Sequence, residues 1–123
     1  MILVDTSIWI DHLRAGDELL ERLLRDKDVL VHPFVIGELA VGNLSPRDTI
    51  LGMLQILPHV RVATDSEVMV LIDQNQLFGL GIGYIDAHLL AAVQVTAGAA
   101  LWTRDRRLAN VASRLELAVH LPH

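Results

Sequence analysis

The apolar positions of this chain change period along its length. Ile2, Leu3 and Val4 form a continuous apolar run, the pattern of a strand buried on both faces, and it stops at Asp5. Apolar residues then recur at helical spacing over 6–14 and again over 17–26, with Gly16 as the break. VLVHP (29–33) reads as a second strand and FVIGELAVG (34–42) as a short helix, entered at Pro33 and left at Gly42. SPRD (45–48) predicts a helix running to about Leu57, with Ser45 as N-cap and Pro46 at its first position. VRVAT (60–64) is a short strand or an extended connector. TDSE (64–67) fits a capping box opening a helix towards Leu77. A helix over 84–98 closes at Gly98. AALWT (99–103) is a strand, 105–115 a last helix and LAVHL (117–121) a last short strand.

Strands alternating with helices predict an α/β fold, a three-layer α/β/α sandwich on a mainly parallel sheet, in one domain spanning residues 1–123. Ligands of such folds bind beyond the carboxyl ends of the strands. Asp5 lies at that end of the first strand, and Asp105 just past that end of AALWT.

Composition sharpens this picture. Hydrophobic residues make up 52% of the chain, enough for a sizeable core and unlike a disordered segment. There is no cysteine, hence no disulfide framework and no cysteine-based zinc site. The N-terminus lacks the basic region of a signal peptide. The longest uncharged stretch, 87–103, is interrupted by His88, Gln94, Thr96 and Gly98 and falls short of a membrane span. The expectation is a soluble, cytoplasmic protein. The formal charge of −5 argues against a broad basic nucleic-acid surface. Among the cations a single lysine, Lys27, faces nine arginines, whose forks match phosphate geometry. Arg104, Arg106 and Arg107 are concentrated in RDRR (104–107). A solvated helix start explains that tetrapeptide taken alone.

Two further acids stand out. Glu38 is the one charged residue between His32 and Arg47, and Asp86 the one between Asp73 and Arg104. Asp86 lies near the start of its helix, where the backbone dipole favours an anion. A helix cap or an ion pair accounts for any one of Asp5, Glu38, Asp86 and Asp105. Four acids in apolar contexts, all placeable at one sheet edge, point further. Converging carboxylates raise one another's pKa, and a hard divalent cation, Mg²⁺ or Mn²⁺, relieves that with oxygen ligands. The chemistry such a centre suggests is metal-assisted hydrolysis of a phosphodiester.

In ILVDTSIWID, GELAVG, YIDAHLLAA and LWTRD, taken in order and spacing across nearly the whole chain, the sequence resembles the PIN-domain ribonucleases. Among these it is most similar to the VapC-type toxins of bacterial toxin–antitoxin pairs. The resemblance implies an α/β/α fold, Mg²⁺ or Mn²⁺ bound by the acids, and RNA cleavage. Asp5, Glu38, Asp86 and Asp105 match the family's acidic positions, Thr6 the hydroxyl after the first acid, and Thr103 the one before the last. The chain departs from the family after TRD, where Arg106, Arg107 and Leu108 stand in place of a further acid or aromatic. Asp105 is therefore open between a direct ligand and one acting through water or a second metal. The resemblance also implies a homodimer and a small VapB-like antitoxin. The leucines of DELLERLLRD (17–26) either serve such a surface or cover the domain's own core.

Other readings fare worse. Haloacid-dehalogenase phosphatases need an acid two residues after the first, where Ser7 stands, and receiver domains a late lysine. GLGIGY (79–84) follows a helix with its third glycine misplaced for a dinucleotide loop, so it reads as a turn. The histidines lack metalloprotease spacing, and His88 reads as structural or exposed. Trp9 and Trp102 read as core, and Ser7 as a helix cap. The alternative function is a non-catalytic PIN-like module that binds a protein or RNA partner.

Overall fold

The computed structural model describes residues 1–121; residues 122 and 123, inside the expected domain, lie outside it. Three parallel strands form the sheet, β1 (Ile2–Val4), β2 (Val29–Leu30) and β3 (Ala100–Trp102), in the order β2-β1-β3. Leu3 stands opposite Leu30 on one side and Leu101 on the other. All three residues of β1 are buried, as a central parallel strand covered on both faces requires. Truncating Leu3, which has no exposed surface, to alanine costs about 2–5 kcal/mol.

Seven helices cover the sheet: α1 (Thr6–Ala15), α2 (Glu18–Arg25), α3 (Pro33–Ala40), α4 (Arg47–Ile56), α5 (Asp65–Gln74), α6 (Tyr84–Val95) and α7 (Arg106–Arg114). A right-handed crossover puts connections running in opposite directions across a sheet on opposite faces. Outside β2 and β3 the sheet is extended by single parallel bridges at His59 and Ala118; counting these, the links through α1–α4 step one way and those through α5–α7 the other. The packing agrees, since α1 meets α3, α3 meets α4 and α5 meets α6. The result is the expected α/β sandwich. No helix among the described residues is long and apolar enough to cross a membrane.

Local chemistry explains most boundaries. The capping box of α5 is present, with Thr64 Oγ1 accepting from the Glu67 amide at 3.1 Å and Glu67 Oε1 from the Thr64 amide at 2.9 Å. Asp17 caps α2 through the Leu20 amide. Leu20 and Leu23 of that helix are buried and Leu24 packs against the core, so most of its leucine face is already covered.

Four expectations need correction, and one open reading is resolved. Pro46, extended at ψ 123°, takes the N-cap place of α4 instead of Ser45, so the helix begins at Arg47 without a side-chain cap. Residues 60–64 take the connector form of the two readings left open: the one bridge beyond β2, Val31 to His59, falls just before them, and the Arg61 amide turns away to Thr96 Oγ1. Thr96 itself is extended, which ends α6 at Val95 rather than at Gly98. Residues 117–121 likewise reach β3 through one bridge, Leu101 to Ala118. Helix α5 stops at Gln74, where Gln76 enters the left-handed region at φ 54° and the Leu77 amide closes the turn on Ile72.

Candidate metal centre

The carboxyl ends of the strands hold the acids. Asp5 follows β1 directly and occupies the N-cap position of α1, yet its side chain caps nothing. It is buried. Its Oδ2 instead accepts two hydroxyl hydrogen bonds, from Thr103 Oγ1 at 2.7 Å and Ser7 Oγ at 2.8 Å. Neither Thr6 nor Ser7 caps α1, contrary to the expectation for Ser7. That serine joins the end of β1 to the end of β3, because its Oγ also accepts the Arg104 amide. Thr103 does the same with the Asp105 amide at 3.0 Å. Ser7 was missed as a site residue although it stands two places after the first acid.

Glu38 projects from the middle of α3, and its Oε1 accepts from Thr6 Oγ1 at 2.7 Å. Asp86 lies in the first turn of α6, where Oδ2 accepts the Gly83 amide at 3.0 Å. Asp105 is the N-cap of α7 and takes the Leu108 amide on Oδ1. One pattern runs through all four. One carboxylate oxygen is fixed by a donor of the chain, and the other accepts nothing from the described residues.

Electrostatics ties the four together. Burial pushes the Asp86 carboxyl above its usual range; the Gly83 amide opposes this, and the charges of Asp5, Asp105 and Glu38 add to it. A site in which one acid feels three others accumulates negative charge that only a cation or protons can offset. The donors are all oxygens, which suits Mg²⁺ or Mn²⁺. No three acids or histidines among the described residues are grouped tightly enough to grasp an ion directly.

The arginines divide. Arg104 points away from the acids: it pairs with Asp11 at 2.7 Å and with Asp17, and lies 5.5 Å from the Trp102 ring centre. Burial raises the Asp17 pKa, but the hydrogen bond from Arg104 and the Leu20 amide outweigh it, and the group ends below its ordinary value. Arg107 lies across the 79–83 loop, packed so closely on Gly81 that a Cβ there would sit 2.7 Å from it. With φ +80° at that residue, glycine is required twice over. Arg106 is exposed and makes no hydrogen bond or ion pair among the described residues.

His88 is buried at 2% exposure, with Nε2 3.2 Å from Asp65 Oδ1. His32 is fully buried and caps α3 through Nδ1. Burial first, then the nearby His88 and His59, lowers its pKa to about 4. Trp9 is core; Trp102 is only half-buried.

The PIN domain family model matches residues 2–114. Ribonuclease VapC32 of Mycobacterium tuberculosis (strain CDC 1551 / Oshkosh) is 50% identical over 108 residues, 88% of this chain and 87% of that protein. The protein of the same name from strain ATCC 25618 / H37Rv gives the same figures.

Proposed function

The chain belongs to the PIN-domain family, among its VapC-type ribonucleases, and from that premise we propose that it is a Mg²⁺- or Mn²⁺-dependent endoribonuclease, the toxin of a toxin–antitoxin pair. The observation that carries the reading is the shared arrangement of the acids. Each has one oxygen held by the chain and one left over, at the ends of β1 and β3 and on the two helices beside them.

In this reading Asp5, Glu38 and Asp86 would hold the cation, in part through its waters. Asp105, whose Oδ1 serves the Leu108 amide, contributes charge through water. Thr103 and Ser7 orient Asp5 by fixing Oδ2, and Thr6 orients Glu38. Such outer partners typically change metal affinity or activity about 10–100-fold. A divalent cation in such a site supplies an activated water for in-line attack and stabilises the leaving oxygen. Arg106 and Arg107 are the candidate phosphate contacts. Arg104 is a strut, engaged by Asp11 and Asp17.

Among the described residues His32 and His88 are both buried and offer no exposed histidine pair for a 2′-hydroxyl route. The products should carry 5′-phosphate and 3′-hydroxyl ends. The test is cleavage of a mixed RNA pool with Mg²⁺ and with a chelator, followed by end-group analysis. Metal-dependent fragments with those ends support the reading. Chelator-resistant cutting, or 2′,3′-cyclic phosphate ends, contradicts the mechanism, and binding without any cutting favours the non-catalytic module.

The partner side of the proposal is a small VapB-like antitoxin and a homodimer in the cytoplasm. A groove of about 400 Å³ beside Glu38, lined by Ile10, Leu13, Leu39 and Leu44, offers an apolar seat next to the acids. An arginine from such a partner would fork onto Asp5 or Asp86. A monomer by light scattering, or harmless expression of the intact enzyme alone, contradicts this part.

A further inference from the structure

At the starts of α3 and α6, the helices that carry Glu38 and Asp86, lies a group of aromatic rings that the proposed chemistry does not use. Phe34 is in the first turn of α3, four residues before Glu38 and so on the same face of that helix. Tyr84 opens α6, one turn before His88 on the same face and two residues before Asp86, which lies on another face of that helix. Both rings meet the imidazole of His88 edge to face, at 4.8 Å and 62° for Phe34 and 4.7 Å and 88° for Tyr84. His88 is almost wholly buried, whereas Phe34 is 38% and Tyr84 47% exposed. The imidazole is therefore the floor of a notch, and the two rings are its open walls.

These rings are held in place. Tyr84 Oη donates to Asp65 Oδ1 at 3.0 Å, the same oxygen that faces His88 Nε2. The amide of Phe34 is fixed by His32 Nδ1 at 2.9 Å, and the His32 ring meets Phe34 at 5.0 Å. The first turns of α3, α5 and α6 thus converge on one rigid aromatic surface. The rim is acidic: Asp65 is 83% exposed. A phosphate is repelled there, whereas the flat face of a nucleobase is not. A protein of charge −5 has little electrostatic grip on RNA, and stacking supplies affinity that needs no positive charge.

We propose that Phe34 and Tyr84, set on the His88 floor, form a stacking site for an unpaired base of single-stranded RNA next to the phosphate held at the acids. The inference rests on the ribonuclease reading and deepens it by making the substrate single-stranded at that position. Stacking reads the π-face and not the base edge, so the site tolerates any base.

The test uses the full chain carrying Asp86→Asn, with Mg²⁺, and a single-stranded RNA decamer with one 2-aminopurine placed in turn at each position. A matched series carries an abasic site instead. In the parent background one position should show strong fluorescence quenching, and an abasic residue there should weaken binding about tenfold. Phe34→Leu and Tyr84→Leu should each weaken the intact decamer about tenfold and become indifferent to the abasic site. Phe34→Tyr and Tyr84→Phe should behave as the parent. Tyr84→Leu, at an exposed helix start, carries the test alone if Phe34→Leu melts early. The notch is overturned if both leucine variants keep parental affinity and the same abasic penalty while the native enzyme still cuts RNA. If the native enzyme neither binds nor cuts any RNA, the ribonuclease reading falls and the stacking site with it.

Discussion

The ends of β1 and β3 are neighbours in a parallel sheet, and each is followed by an aspartate and then a helix. The two aspartates are employed differently. Asp105 is exposed and caps its own helix through Leu108, an ordinary local role. Asp5 occupies the same N-cap position, is buried, and caps nothing; its partners are hydroxyls brought from Ser7 and from Thr103 across the sheet. A cap would have been the easy use of a carboxylate there, worth about 1 kcal/mol. The chain forgoes it and holds the charge out of water, a costly choice unless a counter-ion arrives. The comparison teaches that neighbouring strand ends can put the same residue type to different uses, a local cap at Asp105 and a buried, hydroxyl-held carboxylate at Asp5.

The largest effect should come from the withheld acid itself. Asp5→Asn keeps the shape and removes the charge. RNA cleavage should drop by more than the roughly 10–100-fold typical of outer partners, while Asp105→Asn, which can still cap, should lose far less. Equal losses would erase the distinction between the two strand ends. Next come the hydroxyls: Thr103→Val and Ser7→Ala should each lower cleavage roughly tenfold to a hundredfold, and raising the Mg²⁺ concentration should recover part of it. Recovery in neither would mean that the hydroxyls serve folding alone.

A smaller effect separates cap from charge at β3. Asp105→Ala should cost about 1 kcal/mol of stability, whereas Asp105→Asn should melt close to the parent. The end of β2 adds a third case. His32 caps α3, but as a buried neutral base. Its folded pKa of about 4 lies below the ordinary 6.5. Between those values the unfolded chain takes a proton that the folded chain refuses. Stability from this group is thus complete above pH 6.5 and falls as the pH drops towards 4. In thermal melts His32→Asn should show a shallower decline over that window; an unchanged slope would remove His32 from the account.

Much of this was legible in the sequence, for physical reasons. The continuous apolar run of Ile2–Val4 and the capping box at Thr64 and Glu67 are local signals, and both appear as expected. The sheet edges were only partly legible, because VRVAT and LAVHL both have strand composition, yet the one bridge beside VRVAT falls at His59, just before it, and LAVHL pairs only at Ala118. Whether a β-prone segment becomes a strand depends on competing partners, here Thr96 for the Arg61 amide. Glu38 and Asp86 stood out because nothing charged surrounds them. Ser7 did not, since a serine at a helix start has a ready local explanation. Arg104 looked like its neighbours Arg106 and Arg107, and only the fold brings Asp11 and Asp17 to it. Phe34 and Tyr84 did not stand out in the sequence, because exposure is a tertiary property.

The central claim is that Asp5, and not the capping Asp105, is what a cation requires. Thermal melting with and without Mn²⁺ at about a hundredfold excess over its dissociation constant tests it without any RNA. A ligand bound only to the folded chain adds about 2.7 kcal/mol under that condition. The account predicts that Mn²⁺ raises the melting temperature of the parent and of Asp105→Asn, and leaves Asp5→Asn unmoved. A full metal-induced rise in Asp5→Asn, or its loss in Asp105→Asn alone, would contradict it.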